Sequence, residues 1–213
     1  MGLREQKKEQ TRARLTETAW RLAAERGFER VTVAEIARTA EVSEATVFNY
    51  FRTKEDLFYA PLEAFGDRLI EAVRARPAGF SPLDAVRDFL MQSHGLLGPL
   101  EPNEEEVREQ LHSMLRVISE SPALLEREQR AFARYTEDLA TLLAEEAGGG
   151  DPVASAVVAH ALIGVHRSLV GYVRQRVLAG ASLPQVADEV RDHCRRSFSL
   201  LESGLGRQPK ARA

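Results

Sequence analysis

Helix-start signals recur along the whole sequence, and they limit its fold more than any other feature. Before each candidate helix after the first stands a Ser, Thr, Asp or Asn whose side-chain oxygen can accept from the free amides of a first turn. In all but one case an acid or glutamine follows three residues later, or a proline follows directly. The starts are Thr32, Ser43, Thr53, Ser81, Asn103, Ser121, Asp151 and Ser182. With an opening helix they predict nine helices, and because no segment shows sustained strand alternation, the predicted fold class is all-α.

The predicted helices divide the chain into a part with short helices and a part with long ones. They cover residues 6–26, 33–39, 44–50, 54–75, 82–97, 104–119, 122–147, 152–179 and 183–203. Helices of seven residues are not stable alone, so the second and third must share a core with the first. The residues expected in that core are Leu15, Ala19, Leu22, Phe28, Val33, Ile36, Ala37, Val47, Tyr50 and Phe51. We therefore expect a small domain at 1–53, a larger helical domain at 54–204 and a disordered tail at 205–213.

Charge and cysteine content restrict the class of protein further. The net charge is −3, yet residues 1–54 hold 11 Lys and Arg against 8 Asp and Glu, while the rest of the chain holds 18 against 24. The early cations Lys7, Lys8, Arg12 and Arg14 fit either a solvated helix face or contacts with a polyanion. The single cysteine excludes an internal disulfide. The N-terminus is charged and no apolar run of 18 residues is evident, so we expect a cytoplasmic protein without membrane contact.

The segment TAEVS joins the two short helices at the spacing of a helix-turn-helix. In that motif the second helix lies in the DNA major groove with its N-terminal residues at base edges. Thr32 and Thr53 begin helices whose first amides could meet phosphate, and Lys54 stands at such an end. Many helical hairpins share this spacing, so the motif by itself leaves both interpretations open.

A longer pattern covers residues 10–58. The segment reads TRARLTETAWRLAAERGFERVTVAEIARTAEVSEATVFNYFRTKEDLF. Its first helix ends in Gly-Phe, and a Thr-Val helix start, an Ile-Ala pair and a Val-Ser turn follow. The next helix ends in an aromatic-x-x-Phe pattern, and Lys-Glu-Asp-Leu begins the helix after it. In this combination the chain resembles the tetracycline-repressor (TetR) family of bacterial transcription regulators. One departure is Glu41, where the family usually has glycine. If this position needs a positive φ, a side chain is strained there, and we expect an altered turn.

The resemblance implies which side chains meet DNA. It assigns phosphate contacts to Thr32, Tyr50 and Lys54, groove contacts to Ala45, Thr46 and Asn49, and includes Ser43 at the start of the recognition helix. The chemistry agrees, because a Tyr hydroxyl and a Lys ammonium donate to phosphate, Asn can bond adenine through two hydrogen bonds, and small groups suit thymine methyls. Phe48 stays open between packing under the first helix and apolar contact with the groove.

Apolar stripes mark the last two predicted helices. The resemblance implies that these helices pair with the same two of a second subunit, giving a homodimer that suits a palindromic operator with half-sites about 34 to 36 Å apart. The other interpretation is that the stripes face the subunit's own core. The predicted interface residues are Leu162, Leu169, Val173, Val186, Val190, Cys194, Phe198 and Leu201. Cys194 fits a packing role better than redox sensing.

The resemblance also implies a small-molecule cavity within helices four to eight, whose occupant opposes DNA binding by linkage. A mainly apolar lining favours a hydrophobic or amphipathic effector. The candidate residues are Phe89, Met91, His94, Leu111, His112, Leu115, Phe132, Tyr135 and His166. All of these residue types are also ordinary in a core. We find no metal-ligand spacing and no catalytic motif, so we predict no metal, no cofactor and no enzyme activity.

These inferences predict a one-component transcriptional regulator, with repression as the family's commonest mode. One alternative is a DNA-binding regulator without a small-molecule effector, acting constitutively or under a protein partner. A helical-bundle enzyme is the less favoured alternative. A closed apolar cavity would favour effector control, whereas a packed interior would favour the first alternative.

Overall fold

The computed structural model describes residues 2–92, 105–148 and 150–204. Over these ranges the chain forms nine α-helices, a 3₁₀ turn at Phe28–Arg30 and no strand, which confirms the predicted all-α fold class. The helices are α1 (Leu3–Arg26), α2 (Val33–Thr39), α3 (Glu44–Tyr50), α4 (Asp56–Arg74), α5 (Pro82–Met91), α6 (Glu105–Glu120), α7 (Pro122–Glu146), α8 (Pro152–Leu178) and α9 (Leu183–Ser203).

Most predicted helix starts are formed as expected. A side-chain oxygen accepts from an amide two or three residues further on at Thr32, Ser43, Thr53, Ser81, Ser121 and Asp151. Ser182 precedes α9, but its side chain caps no amide, so the capping box predicted there is absent. Helix α5 ends at Met91 and not at residue 97, because Gln92 is extended with ψ of 156°. The predicted start at Asn103 and the predicted tail at 205–213 lie outside the described residues.

The chain forms two compact units. Unit 1 comprises Met1–Ala64 and His112–Ala131, and unit 2 comprises Phe65–Leu111 and Phe132–Ala213. The segment His112–Ala131 therefore belongs to the same compact unit as the N-terminal part. One boundary along the chain is not enough to separate the two units. The predicted functional domains, 1–53 and 54–204, remain predictions.

Unit 1 is built on one apolar core that the short helices share. Eight of the residues predicted for it are buried: Leu15, Ala19, Leu22, Phe28, Ile36, Ala37, Val47 and Phe51. Val33 and Tyr50 are partly buried against the same cluster, and Val117, Ile118 and Leu124 of the second segment complete it. Trp20 packs edge to face on Phe58, with ring centroids 4.8 Å apart, as a packing residue. Neither α2 nor α3 could be stable without this shared burial.

Unit 2 is organised around α8 and α9. Helix α8 contributes eight buried residues: Ala159, Leu162, Ile163, Val165, His166, Leu169, Val173 and Val177. By length and composition α8 could also cross a membrane, which corrects the expectation that the chain has no such apolar run. The core helix of a globular protein meets the same criterion, and the regular inward side chains of α8 show that it packs against protein.

The turn between α2 and α3 has the geometry of a Schellman helix end. The amide of Val42 donates to the carbonyl oxygen of Ala37 at 2.9 Å, and the amide of Glu41 donates to that of Arg38 at 3.2 Å. Glu41 occupies the left-handed position, with φ of 54°, and is the one non-glycine residue with positive φ in the described part of the chain. The expected altered turn is therefore not found. The turn keeps its conformation, and Glu41 bears the strain.

Replacing Glu41 by glycine should raise the free energy of unfolding by about 0.5 to 1 kcal/mol. A left-handed conformation costs an L-residue about 1 to 2 kcal/mol, and the greater chain entropy of unfolded glycine returns part of the gain. Denaturant unfolding of both proteins measures the difference. Glu41→Ala is the matched control, because it removes the charge but keeps Cβ. If alanine stabilised the protein as much as glycine, backbone strain would not be the cause.

Candidate DNA-binding site

Helix α3 is held at both ends by local contacts. At its start the Ser43 hydroxyl oxygen accepts from the amide of Thr46 at 3.1 Å and lies 2.8 Å from the Thr46 hydroxyl oxygen. At its end Phe51 is extended, and its amide donates to the carbonyl oxygen of Val47 at 2.9 Å. Ser43 therefore has a structural role in setting the helix start, and it fixes the side chain of Thr46 as well.

The two faces of α3 differ sharply. Val47 and Phe51 are 1% and 3% exposed and anchor the helix in the core of unit 1. Ala45, Phe48 and Asn49 are exposed, while Tyr50 is half-buried with its ring tilted against Phe51. Two of the three predicted groove residues, Ala45 and Asn49, thus lie on the free face, and Thr46 is half-buried beside it. Such a face is available to the edges of bases.

Thr32, a predicted phosphate contact, takes part in a complete capping box at the start of α2. Its hydroxyl oxygen accepts from the amide of Glu35, and the Glu35 carboxylate accepts from the amide of Thr32 at 3.1 Å and from Arg26 at 3.1 Å. The hydrogen bond from the Thr32 amide, and then that from Arg26, lower the pKa of Glu35. A charged carboxylate therefore already occupies this helix start, where a phosphate would meet its repulsion.

Lys54, another predicted phosphate contact, is engaged inside unit 1. Its ammonium donates to the carbonyl oxygens of Phe28 and Val31 at 3.0 and 3.1 Å, and it lies 3.9 Å from the centroid of the Phe28 ring. These contacts join the start of α4 to the 3₁₀ turn after α1. An ammonium has three donors, so one is left for a phosphate oxygen. The internal role was missed because the partners lie 23 and 26 residues away in the chain.

Ion pairs from Arg127 of α7 hold the first turns of α4 within unit 1. Arg127 donates to Asp56 at 3.0 Å and also bonds Glu63, and its side chain is only 14% exposed. Asp56 at the same time accepts from the amide of Thr53 at 3.1 Å. The partners are more than 60 residues apart in sequence, so no local pattern predicts them. Together these bonds fix where α4 begins, directly after the recognition helix.

Arg12, in the basic first half of α1, lies near the end of α3. The guanidinium of Arg12 lies 5.3 Å from the centroid of the Phe51 ring, within the range of a cation–π contact. Lys7, Lys8 and Arg14 are exposed. The structure is compatible with both interpretations of these cations, phosphate contact and a solvated helix face. It places Arg12 beside the recognition helix.

The predicted effector residues are divided between the two units. In unit 2, Phe132, Tyr135 and His166 come together with Phe65, which in turn packs on Phe89 at 5.2 Å between ring centroids. This aromatic cluster is tightly packed: a Cβ on Gly66 would lie 2.6 Å from the Tyr135 ring. Met91 and Leu111 are partly exposed residues of unit 2, His112 and Leu115 belong to unit 1, and His94 lies outside the described residues.

His166 is the one polar side chain of this aromatic cluster apart from the Tyr135 hydroxyl. It is 1% exposed, stacks on Phe65 at 4.7 Å, and its Nδ1 lies 3.3 Å from the Tyr135 hydroxyl oxygen. Burial lowers the pKa of the imidazole to about 3. The ring is therefore neutral at physiological pH and acts as a hydrogen-bonding group of the interior.

The predicted interface residues lie mostly inside the single chain. Leu162, Leu169, Val173, Val186, Val190, Cys194 and Phe198 are all buried, and only Leu201 is partly exposed. A side chain enclosed by its own subunit offers no area to a second one, so the stripes of α8 and α9 serve the subunit core in this structure. Burial raises the pKa of the Cys194 thiol to about 11, which keeps it protonated and fits packing rather than redox chemistry.

A shared core, a Schellman turn and a second short helix with one buried and one free face together define a helix-turn-helix DNA-binding protein. Residues 15–60 match the family model described as bacterial regulatory proteins, tetR family. The transcriptional regulator TcmR of Streptomyces glaucescens is 33% identical over 149 residues, covering 69% of this chain and 65% of TcmR. BetI of Rhizobium meliloti (strain 1021) is 38% identical over 83 residues, covering 38% of this chain and 41% of BetI.

The fold also matches solved structures. Native NalD, the secondary repressor of the MexAB-OprM multidrug efflux pump in Pseudomonas aeruginosa, is similar with a TM-score of 0.51 at 20% identity, over 89% of this chain and 97% of that one. This likeness concerns the fold alone. The chain spans less than two thirds of the length of either curated relative. With the match of the helix-turn-helix and the identity to TcmR, the chain belongs to the TetR family of bacterial regulatory proteins.

His166 has a pKa of about 3 in the folded protein and near 6.5 in the unfolded chain. Between these two pKa values the unfolded chain therefore binds a proton that the folded protein does not bind. Stability from this group is complete above about pH 6.5 and is lost as the pH falls, by about 1.4 kcal/mol per unit. We expect His166→Gln, which does not titrate, to lack this part of the slope. Chemical denaturation of both proteins between pH 4 and 6 measures it. Parallel pH profiles would contradict a neutral buried His166.

Proposed function

We propose that the protein is a transcriptional regulator that binds a palindromic operator as a homodimer, acts as a repressor in the cytoplasm, and is released by a small hydrophobic or amphipathic molecule. The observation that carries the proposal is the division of α3 into a buried face, with Val47 and Phe51, and a free face, with Ala45 and Asn49. The relatives TcmR and BetI are named transcriptional regulators, which supports the same activity here.

The side chains of α3 suit the roles proposed for them. The exposed Asn49 amide can donate to and accept from adenine, while Ala45 and the Thr46 methyl can contact thymine. Tyr50 packs with its ring on Phe51 and carries a hydroxyl that can donate to phosphate. Thr32 and Lys54 are the weaker phosphate candidates, since both already bond within unit 1.

Self-association is proposed through the exposed side of α8. Side chains at steps of three and four residues form an apolar or small stripe there, composed of Val153, Val157, Ala161, Gly164, Ser168 and Gly171. Val153 and Val157 are 68% and 62% exposed, although valine is among the residues most often buried. By helical periodicity this stripe lies opposite the buried face that holds Leu162 and Leu169. A two-fold contact between two copies would remove it from water.

Effector control is proposed through unit 2, where the aromatic cluster around His166 supplies apolar surface and two polar groups. A hydrophobic ligand with one hydrogen-bonding group would match this chemistry. The close packing of Gly66 on Tyr135 also fits the alternative, a regulator that is constitutive or controlled by a protein partner. Release of bound DNA by a compound panel decides between them: release by any compound supports effector control, and release by none supports the alternative.

Operator binding is tested on duplexes enriched by the purified protein from a random pool. Fluorescence anisotropy should show saturable binding to an inverted repeat, and Asn49→Ala should lose about 1 to 3 kcal/mol at one base-pair position per half-site. Tyr50→Phe is the contrasting variant: it should weaken all duplexes alike and leave the log-log salt slope unchanged, because the lost hydroxyl carries no charge. No enrichment, or binding unchanged by either variant, would contradict the proposal.

Val157→Glu should convert the dimer to monomers, because it places two carboxylates in an apolar two-fold contact. Sedimentation equilibrium measures the change in mass. Ala133→Glu is the matched control, since Ala133 is an exposed residue of α7 and the same charge is added. We expect the control to remain dimeric. A wild-type protein that is monomeric at micromolar concentration, or a dimeric Val157→Glu variant, would remove α8 as the interface.

A further inference from the structure

Phe48 stands out on the recognition helix because its ring is left in water. It is 52% exposed, and no other large apolar side chain of unit 1 is exposed to this degree in the described part of the chain. The other aromatic residues of this segment, Tyr50 and Phe51, pack on each other and into the core. Phe48 is therefore not enclosed under the first helix, which was one of the two interpretations open from the sequence.

The position of Phe48 restricts what can cover it. Residues three and four apart share a helix face, so Phe48 lies beside Ala45, and Asn49 adjoins it on the exposed side. Ala45 is too small to shield the ring. In the proposed complex this face meets the edges of base pairs in the major groove. Contact with a base edge would then remove the ring from water.

A phenyl ring has no hydrogen-bond donor or conventional acceptor, which limits the base features that it can distinguish. Among the groups that base pairs present in the major groove, the C5-methyl of thymine is the apolar one, and contact with it is an established role for small apolar and phenyl side chains. Insertion of apolar side chains between base steps is typical of proteins that bind the minor groove, not the major groove. The methyl contact is thus the base-specific one open to Phe48.

We infer that Phe48 is a specificity-determining residue that contacts a thymine methyl in each half-site. The inference rests on the proposed function, because it requires α3 to lie in the major groove. It adds a residue to the groove contacts already assigned to Ala45, Thr46 and Asn49. The group that Phe48 recognises is a methyl and not a hydrogen-bonding pattern.

Replacement of thymine by deoxyuridine tests this directly, because it removes the methyl and keeps the base pair. Thymines in the selected operator are replaced one symmetric pair at a time, and Kd is measured by anisotropy for the wild type, Phe48→Ala and Asn49→Ala. For one pair we expect wild-type binding to weaken about fourfold per half-site, or roughly 15-fold in total, from one methyl each. Phe48→Ala should bind the thymine and uracil duplexes equally well, whereas Asn49→Ala should retain the wild-type ratio.

The outcomes separate this inference from the function that it rests on. Failure of the wild type to select any duplex would overturn both. Selective binding with no effect of uracil at any pair, or an equal uracil effect in Phe48→Ala and the wild type, would overturn the thymine contact alone. A selected operator without thymine would do the same. Because Phe48 is exposed, Phe48→Ala should unfold at the wild-type temperature, and a melting curve verifies that the comparison concerns folded protein.

Discussion

The burial of Val47 and Phe51 is the interaction on which the rest of unit 1 depends. A seven-residue helix has too few hydrogen bonds to offset its nucleation, so α3 exists because its inner face joins a core supplied by other helices. The capping bonds of Ser43 and the turn at Glu41 set its ends, and Lys54 joins the next helix start to the 3₁₀ turn. Each of these contacts leaves the opposite face of α3 free.

The separation of α3 into a buried face and a free face determines how the site can bind DNA. A helix that is already formed and packed in the free protein can meet a groove without the cost of ordering a disordered segment on binding. Several polar groups near the site are already used internally, as Thr32 and Lys54 show. The side chains that remain available, Ala45, Phe48 and Asn49, are those that can distinguish bases rather than those that supply charge. Of the α1 cations, Arg12 lies at this site, 5.3 Å from the centroid of the Phe51 ring.

Features with a local cause were predictable from the sequence, and features set by distant partners were not. Six helix starts followed from oxygen-bearing side chains at the right spacing, because a cap involves neighbours two or three residues away. The bonds from Lys54 to Phe28 and from Arg127 to Glu63 join residues far apart in the chain, so only the fold reveals them. The apolar stripe of α8 that contains Leu162 and Leu169 was visible in the sequence. Periodicity alone does not tell whether such a stripe packs within the same chain or against a second copy.

Hydrogen exchange with and without the selected operator duplex is the most direct measurement of the central claim, that α3 is the surface that meets DNA. The account predicts slower exchange in peptides covering residues 43–54 and the first half of α1, with α5 unchanged. Short helices open easily, so contact with DNA should alter their exchange more than that of the long helices. Protection confined to unit 2, or no protection at α3 under saturating duplex, would contradict the account.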